Sequence, residues 1–338
     1  MSDLLCASNI EKESMMQMRI TVGGLAFALL LLGALASPAE LEAQVRGPGP
    51  DGRWPLQPRS PGNRHLAPFM EGWYANEDGT FSISFGYLNA NEDTLEIPLG
   101  PDNFIEPAQF DGMQPTTFFP GHQRGLFTVN LPAAMRDTDV WWTLRKENGE
   151  VTRVPGRIGA VAYQLDWYPR PHGTLPPLVS FDSQSEEGRG PPGIVAERTQ
   201  TVSVGSPLTL SINARDISER DPDDYRNFEG IPLRVVWFRL QGPGRVEYTR
   251  HESNPLPEVE DEEIDAAGGG ADDDDDDVPE PEVIQLPEGN GVARVIVTFS
   301  EPGEYLMLAR VDNWSATDSS SGSQCCWTNG YVRINVTP

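Results

Sequence analysis

Between residues 202 and 336, seven short runs rich in Val, Ile, Leu, Phe and Tyr (202–204, 208–212, 233–240, 246–248, 292–299, 305–311 and 331–336) are separated by Gly, Pro, Asn, Asp and Ser. Runs of this length are too short for ordinary helices, and their apolar residues recur at period two or fill the run completely. A chain punctuated this way is restricted to sheet. With 33 Gly and 31 Pro among 338 residues, turn formers are dense enough to end a strand every few residues.

The preceding part follows the same rule less tidily. Segments 81–87, 94–97, 124–129, 140–144 and 151–154 read as strands, and Asn148-Gly149 is a hairpin turn because both residues accept positive φ. Trp73, Phe85, Phe127 and either Trp141 or Trp142 are the expected core anchors. The fold class expected is all-β, two antiparallel β-sandwich domains behind an N-terminal signal segment. The division expected is 1–36 as a signal peptide with an upstream extension and 37–70 as a Pro/Gly-rich arm. A first sandwich over 71–158, a linker over 159–198 and a second sandwich over 199–338 complete it, the last with an acidic disordered insertion at 251–286.

Charge locates that insertion. The net charge is −26, and residues 252–282 hold fifteen acidic side chains with no Lys or Arg, so the remainder carries only −11. Like-charge blocks beside Gly268, Gly269 and Gly270 read as a solvated loop. No basic stripe exists to neutralise phosphates, so nucleic acid is excluded as a partner and anionic membrane surfaces are disfavoured.

Met18-Arg19 precedes an apolar run over 22–36 that closes on Ala34-Leu35-Ala36, the pattern of a secretory leader. The run is shorter than the roughly 20 residues a spanning helix needs, so a membrane is a partner only if the leader stays uncleaved. The protein is therefore expected to be exported, periplasmic or extracellular. Removal of the leader takes Cys6 with it and leaves Cys325-Cys326 in an oxidising compartment. Two readings stand there: a strained vicinal disulfide, or two thiols on opposite faces of an extended segment.

The second half resembles the immunoglobulin-like superfamily, nearest to its PKD-like bacterial extracellular branches. The resemblance rests on Val204-Gly205-Ser-Pro-Leu-Thr-Leu210, on Trp237 in a central strand, and on Glu301-Pro-Gly-Glu-Tyr305 leading into 306–312. It implies that Trp237 is the buried core tryptophan and that the Tyr305 hydroxyl bonds back to backbone. The inter-sheet cysteines of antibody domains are replaced here by aliphatics such as Leu210 and Met307. The first half, through Phe85-Gly-Tyr87-Leu-Asn89 and the segments 97–103 and 114–120, resembles exported bacterial proteins that pair it with such a domain. That likeness implies no activity.

Catalytic motifs do not occur, and His65, His122, His172 and His251 stand apart in the sequence. No cofactor is expected apart from a possible calcium ion. Asn89-x-Asn91-x-Asp93 opens like a calcium loop but has Thr94 and Gly100 where an EF-hand needs Gly and Glu, which leaves a strand-end clasp or an Asn/Asp turn. Asp312, Asn313, Trp314 and Trp327 flank the connection between the last two strands and are the candidate binding residues. They either present an aromatic platform for a protein or a glycan, or fold back on the sandwich. The functional expectation is a non-enzymatic exported binding protein. The alternatives are a structural spacer or surface-matrix protein, and an accessory domain of an enzyme system.

Overall fold

The computed structural model describes residues 64–182, 186–224, 231–255, 280–318 and 326–338. The expected leader, most of the arm, the aspartate run and Cys325 lie outside the described residues. Every regular element is a strand apart from three single 3-10 turns. The fold is all-β, as expected.

In the first half the strands are β1 (Leu66–Ala75), β2 (Phe81–Asn89), β3 (Leu95–Glu96), β4 (Asn103–Glu106), β5 (Thr117–Phe118), β6 (Gly121–Leu131), β7 (Val140–Arg145), β8 (Val151–Gly156) and β9 (Gln164–Leu165). They form one sheet ordered β6-β2-β1-β9, a second ordered β4-β7-β8, and a small β3-β5 pair. The core between them is aromatic. Phe85 stacks on Phe127 at 5.4 Å, and both meet Trp142 edge-on, at 6.2 and 5.1 Å. Trp142 is the buried member of its pair. Trp141 lies outside, under the Arg153 guanidinium at 4.1 Å. The β7–β8 hairpin turns through Asn148-Gly149 as expected, with Gly149 at φ 83°.

Strand β1 begins inside the stretch expected to be an irregular arm. Its residues do not alternate, because a bulge at Glu71 shifts the register with β2 between Met70 and Gly72 and reverses the inward phase half-way along. Pro68 is tolerated because β9 reaches only Trp73 and Tyr74 on that side, which leaves the neighbourhood of Pro68 at a sheet edge.

The second half has β10 (Leu178–Ser180), β11 (Gly188–Arg189), β12 (Ile194–Val195), β13 (Gln200–Ser203), β14 (Leu208–Arg215), β15 (Leu233–Gln241), β16 (Val246–Arg250), β17 (Val283–Leu286), β18 (Asn290–Phe299), β19 (Gly303–Asp312) and β20 (Trp327–Thr337). One sheet runs β11-β10-β14-β18-β16 and the facing one β12-β20-β19-β15-β17, with β13 also pairing β20. With β10, β14, β18 and β16 as A, B, E and D, and β20, β19 and β15 as G, F and C, this is the ABED/GFC order of an immunoglobulin-type sandwich. The first strand is split between sheets: β10 pairs antiparallel with β14, while β12 and β13 run parallel to β20. Residues expected to be a linker thus supply β10 and β12 of that first strand. Strand β17 likewise lies within the span expected to be disordered, where it pairs with β15.

Trp237, Leu210 and Met307 are fully buried between the sheets, where the resemblance put them. The Tyr305 hydroxyl donates to the Glu301 carbonyl at 2.8 Å, a corner that fixes the entry to β19.

Burial along the facing sheet explains how the two halves join. Strands β14 and β18 bury one face, whereas β19 and β20 are buried on both for most of their length. Met307, Ala309 and Val311 point into their own sandwich, while Leu306, Leu308, Tyr331 and Leu240 belong to the core of the first half. Each such side chain contributes roughly 1.5–3 kcal/mol relative to exposure. The described residues accordingly lie in one compact unit, Pro61–Pro338.

Candidate functional site

The outer face of β15, β19 and β20 is laid out by cross-strand register. Phe238 pairs with Leu308 and Leu308 with Tyr331; two residues along, Val236 pairs with Arg310 and Arg310 with Asn329; two further, Arg234 pairs with Asp312 and Asp312 with Trp327. Directly opposed residues share a face. The face therefore changes from Leu308 to Arg310 and Asp312, and a cleft of about 1000 Å³ opens there, lined from the first half by Phe119, His122, Gln123 and Arg124.

Charge on its walls is arranged in pairs. Arg234 holds Asp312 through two bonds, Nε to Oδ1 at 3.2 Å and Nη2 to Oδ2 at 3.0 Å, and its guanidinium lies 5.6 Å from the Trp314 ring. Burial raises the Asp312 carboxyl above its ordinary value, against the opposing pull of Arg234. Arg310 stacks on Trp327 at 5.1 Å and donates through Nη2 to the Arg124 carbonyl. Burial depresses its pKa, but a guanidinium keeps its proton throughout the usable range.

Two lining residues of the first half, His122 and Arg124, are held by Glu71 at the bulge of β1, which is bonded at 3.3 Å both to His122 Nε2 and to Arg124 Nη1. Gly86 makes room for it: a Cβ there would lie 2.6 Å from Glu71 Oε1 and 2.4 Å from the Gln123 carbonyl. Burial raises the Glu71 pKa, with Arg124 and His122 opposing it. A carboxyl raised in the folded state favours folding fully below its ordinary value of 4.5, and that contribution is lost as pH rises through the raised value. Glu71→Gln is expected to flatten this part of the stability profile. Urea midpoints of both proteins from about pH 4 to about pH 8 check it, and parallel curves would refute it.

The four residues singled out for binding separate. Trp314, 43% exposed, stands at the lip. Asp312 lines the wall but is held by Arg234. Trp327 is only 8% exposed and is wedged against Gly125, where a Cβ would meet its ring at 2.6 Å. Asn313 does not line the cleft; it is buried and donates to the Leu175 carbonyl at 3.1 Å. Cys326 also lines the cleft, has φ 85° and is disulfide-bonded; the other two cysteines of the chain, Cys6 and Cys325, are both outside the described residues.

At the other candidate, the Asn89 amide is committed to the turn. It donates to the carbonyls of Asp93 at 3.0 Å and Phe118 at 2.8 Å, and its Oδ1 accepts from the Asn91 backbone and side chain. Among the described residues no group of three or more His, Cys, Asp or Glu side chains is gathered as a metal-ligand set. Sequence reasoning missed Glu71, His122, Arg124, Arg234 and Arg310. A signal for one of them was present: in β19 both alternating phases are apolar from Tyr305 to Ala309, and one turns charged at Arg310.

No family model matches this chain, and no curated protein matches it. Among solved structures it is similar to the D0-D1 domain of Intimin, at 13% identity and TM-score 0.22 over 80% of this chain and 97% of that one. The D00-D0 domain of Intimin (11%, TM-score 0.22, 80% and 99%) and domains 4 and 5 of the S-layer protein SbsC (11%, TM-score 0.21, 81% and 98%) are similar to it to the same degree. Likeness at that level carries no function across.

Proposed function

We propose that the chain is an exported, non-enzymatic binding protein that seats its ligand in the cleft beside Trp314. The observation that carries this reading is the change of the β15-β19-β20 face from Leu308 to Arg310 and Asp312, where a cleft opens against Phe119, His122 and Arg124 of the first half. A surface that only joined two sandwiches would remain apolar to its edge or become solvated there. Here it turns inward as a concavity with an aromatic lip and fixed guanidinium groups, at a volume suited to a small ligand or a glycan unit.

The spacer reading has one observation of its own. The apolar contact of Leu306, Leu308 and Tyr331 with the first half ties the two sandwiches together, which suits a rod of set length. The two readings are separated by screening the full chain and Trp314→Ala on arrays of glycans and of envelope proteins. Trp314 is the residue to change because it is exposed; truncating the wedged Trp327 would disturb the fold as well. The expected result is a defined ligand whose affinity falls about tenfold in the variant, near 1.4 kcal/mol. No ligand, or one indifferent to Trp314, favours the spacer.

A further inference from the structure

The guanidinium groups on the cleft walls are all answered by carboxylates. Arg124 is paired with Glu71 and Arg234 with Asp312, and the buried Arg310 is faced by both Asp312 and Glu71. Two carboxylates are not answered in return. Glu280 and Glu282 line the cleft, and among the described residues neither makes an ion pair. Burial pushes the Glu282 carboxyl above its ordinary value and Glu280 beside it pushes the same way, with no guanidinium opposing them as one does at Glu71 and Asp312. The pair closes the stretch 252–282, which holds fifteen acidic side chains and no Lys or Arg. The uncompensated charge on this wall is therefore negative, and a cation is the group that complements it.

The surroundings of the pair are apolar. Glu282 directly precedes β17, and its carbonyl accepts from the Trp237 backbone N–H at 3.1 Å, which sets it beside Val236 and Phe238 of β15. Both of those side chains are half-buried on the outer face of the strand, and the Phe238 ring meets Phe119 of the first half edge-on at 6.4 Å. Trp314 adds an exposed ring at the lip. A lysine or arginine side chain matches this combination, with methylenes that lie on apolar surface and a charge at the tip. A sugar matches it less well. Among the described residues no Ser, Thr or Asn lines the cleft, Gln123 is its one amide, and Arg234 with Asp312 and Arg124 with Glu71 are already bonded to each other.

Resting on the cleft as the ligand seat, we propose that its partner is a protein that inserts a lysine or arginine side chain there. The cation sits at Glu280 and Glu282, and apolar residues flanking it on the partner lie against Phe119, Phe238 and Trp314. No bond is made or broken; this is recognition alone.

The test titrates the full chain with blocked pentapeptides that carry lysine, arginine, norleucine or glutamate between leucines, followed by tryptophan fluorescence and calorimetry. The cationic peptides are expected to bind at least about tenfold more tightly than the norleucine one, which keeps an apolar stem and lacks the charge. The glutamate peptide should bind most weakly, and the better of the two cations names the side chain. Raising the salt from about 0.05 M to about 0.5 M should narrow the gap. In the double variant Glu280→Gln with Glu282→Gln, the cationic and norleucine peptides should bind alike. Glu280→Gln alone, at an exposed position, is measured alongside, with circular dichroism and Tm to show that each folds. A protein hit from the arrays is carried through the same variants, and its weakening there supports the assignment as well. Equal binding of norleucine to the unaltered chain overturns the cation and leaves the cleft as an apolar seat. A preference that survives in the folded double variant, or a protein hit indifferent to it, overturns the placement. A glycan hit lost in Trp314→Ala, with no response to any peptide, leaves the binding function standing and removes the basic partner. Silence on every array and peptide removes both.

Discussion

Trp142→Ala is expected to lower stability by about 3–5 kcal/mol, the usual cost of emptying a tryptophan site in a closed core. Trp142 is fully buried, it is the ring that Phe85 and Phe127 both meet edge-on, and its Nε1 donates to Asn103 Oδ1 at 3.1 Å. Asn103 is itself buried and holds the carbonyls of Ile97 and Pro115. The substitution therefore opens a cavity and strands an acceptor together. Against a total stability of about 5–15 kcal/mol this is a large fraction. Because the same core includes Leu306, Leu308 and Tyr331 from the second half, the loss should appear as one shifted urea transition reported alike by both halves. Two separate transitions, with the second unmoved, would show that the halves fold independently.

Asn329→Ala is the second. Asn329 is fully buried, and its Nδ2 donates to the Gly125 carbonyl at 2.7 Å and to the Pro191 carbonyl at 3.1 Å. Those carbonyls come from the first half and from the approach to β12, so one side chain ties three parts of the chain. Alanine removes the Asn329 bond from the Gly125 carbonyl, at about 1–3 kcal/mol, and leaves the Pro191 carbonyl only the longer bond from the Tyr331 hydroxyl at 3.4 Å. Asn329→Asp should be at least as damaging, since a carboxylate turns no hydrogen toward either carbonyl. Melting temperatures of both variants check the prediction, and a shift within the scatter of ordinary surface substitutions would refute it.

What could be read before the structure was whatever depends on neighbours in sequence. The period-two runs, the Asn148-Gly149 turn, Trp237 and the Tyr305 corner are all local, and all are found in place. Strand β1 escaped because its bulge at Glu71 reverses the alternation. Strands β10 to β12 escaped because each is only two or three residues long, and β12 is specified by a partner more than a hundred residues away. The cleft lay further from reach. Its charged groups come from β6, β15, β19 and the approach to β17, and nothing short of the register says that Arg234, Asp312 and Trp327 are neighbours. Trp314 was found by its chemistry alone; Asn313, beside it in sequence, faces the other way and serves as a brace for Leu175.

The parallel seam between β13 and β20 has a mechanical consequence. Over Gln200–Ser203 the first strand runs alongside Ile334–Thr337 in the same direction. Tension applied between a point ahead of β13 and a point beyond β20 pulls the two strands in opposite senses along their length. The hydrogen bonds of the seam are then strained together, in shear, whereas an antiparallel hairpin pulled at its open end gives way one bond at a time. A chain held at those two points would resist stretching until the whole seam slipped.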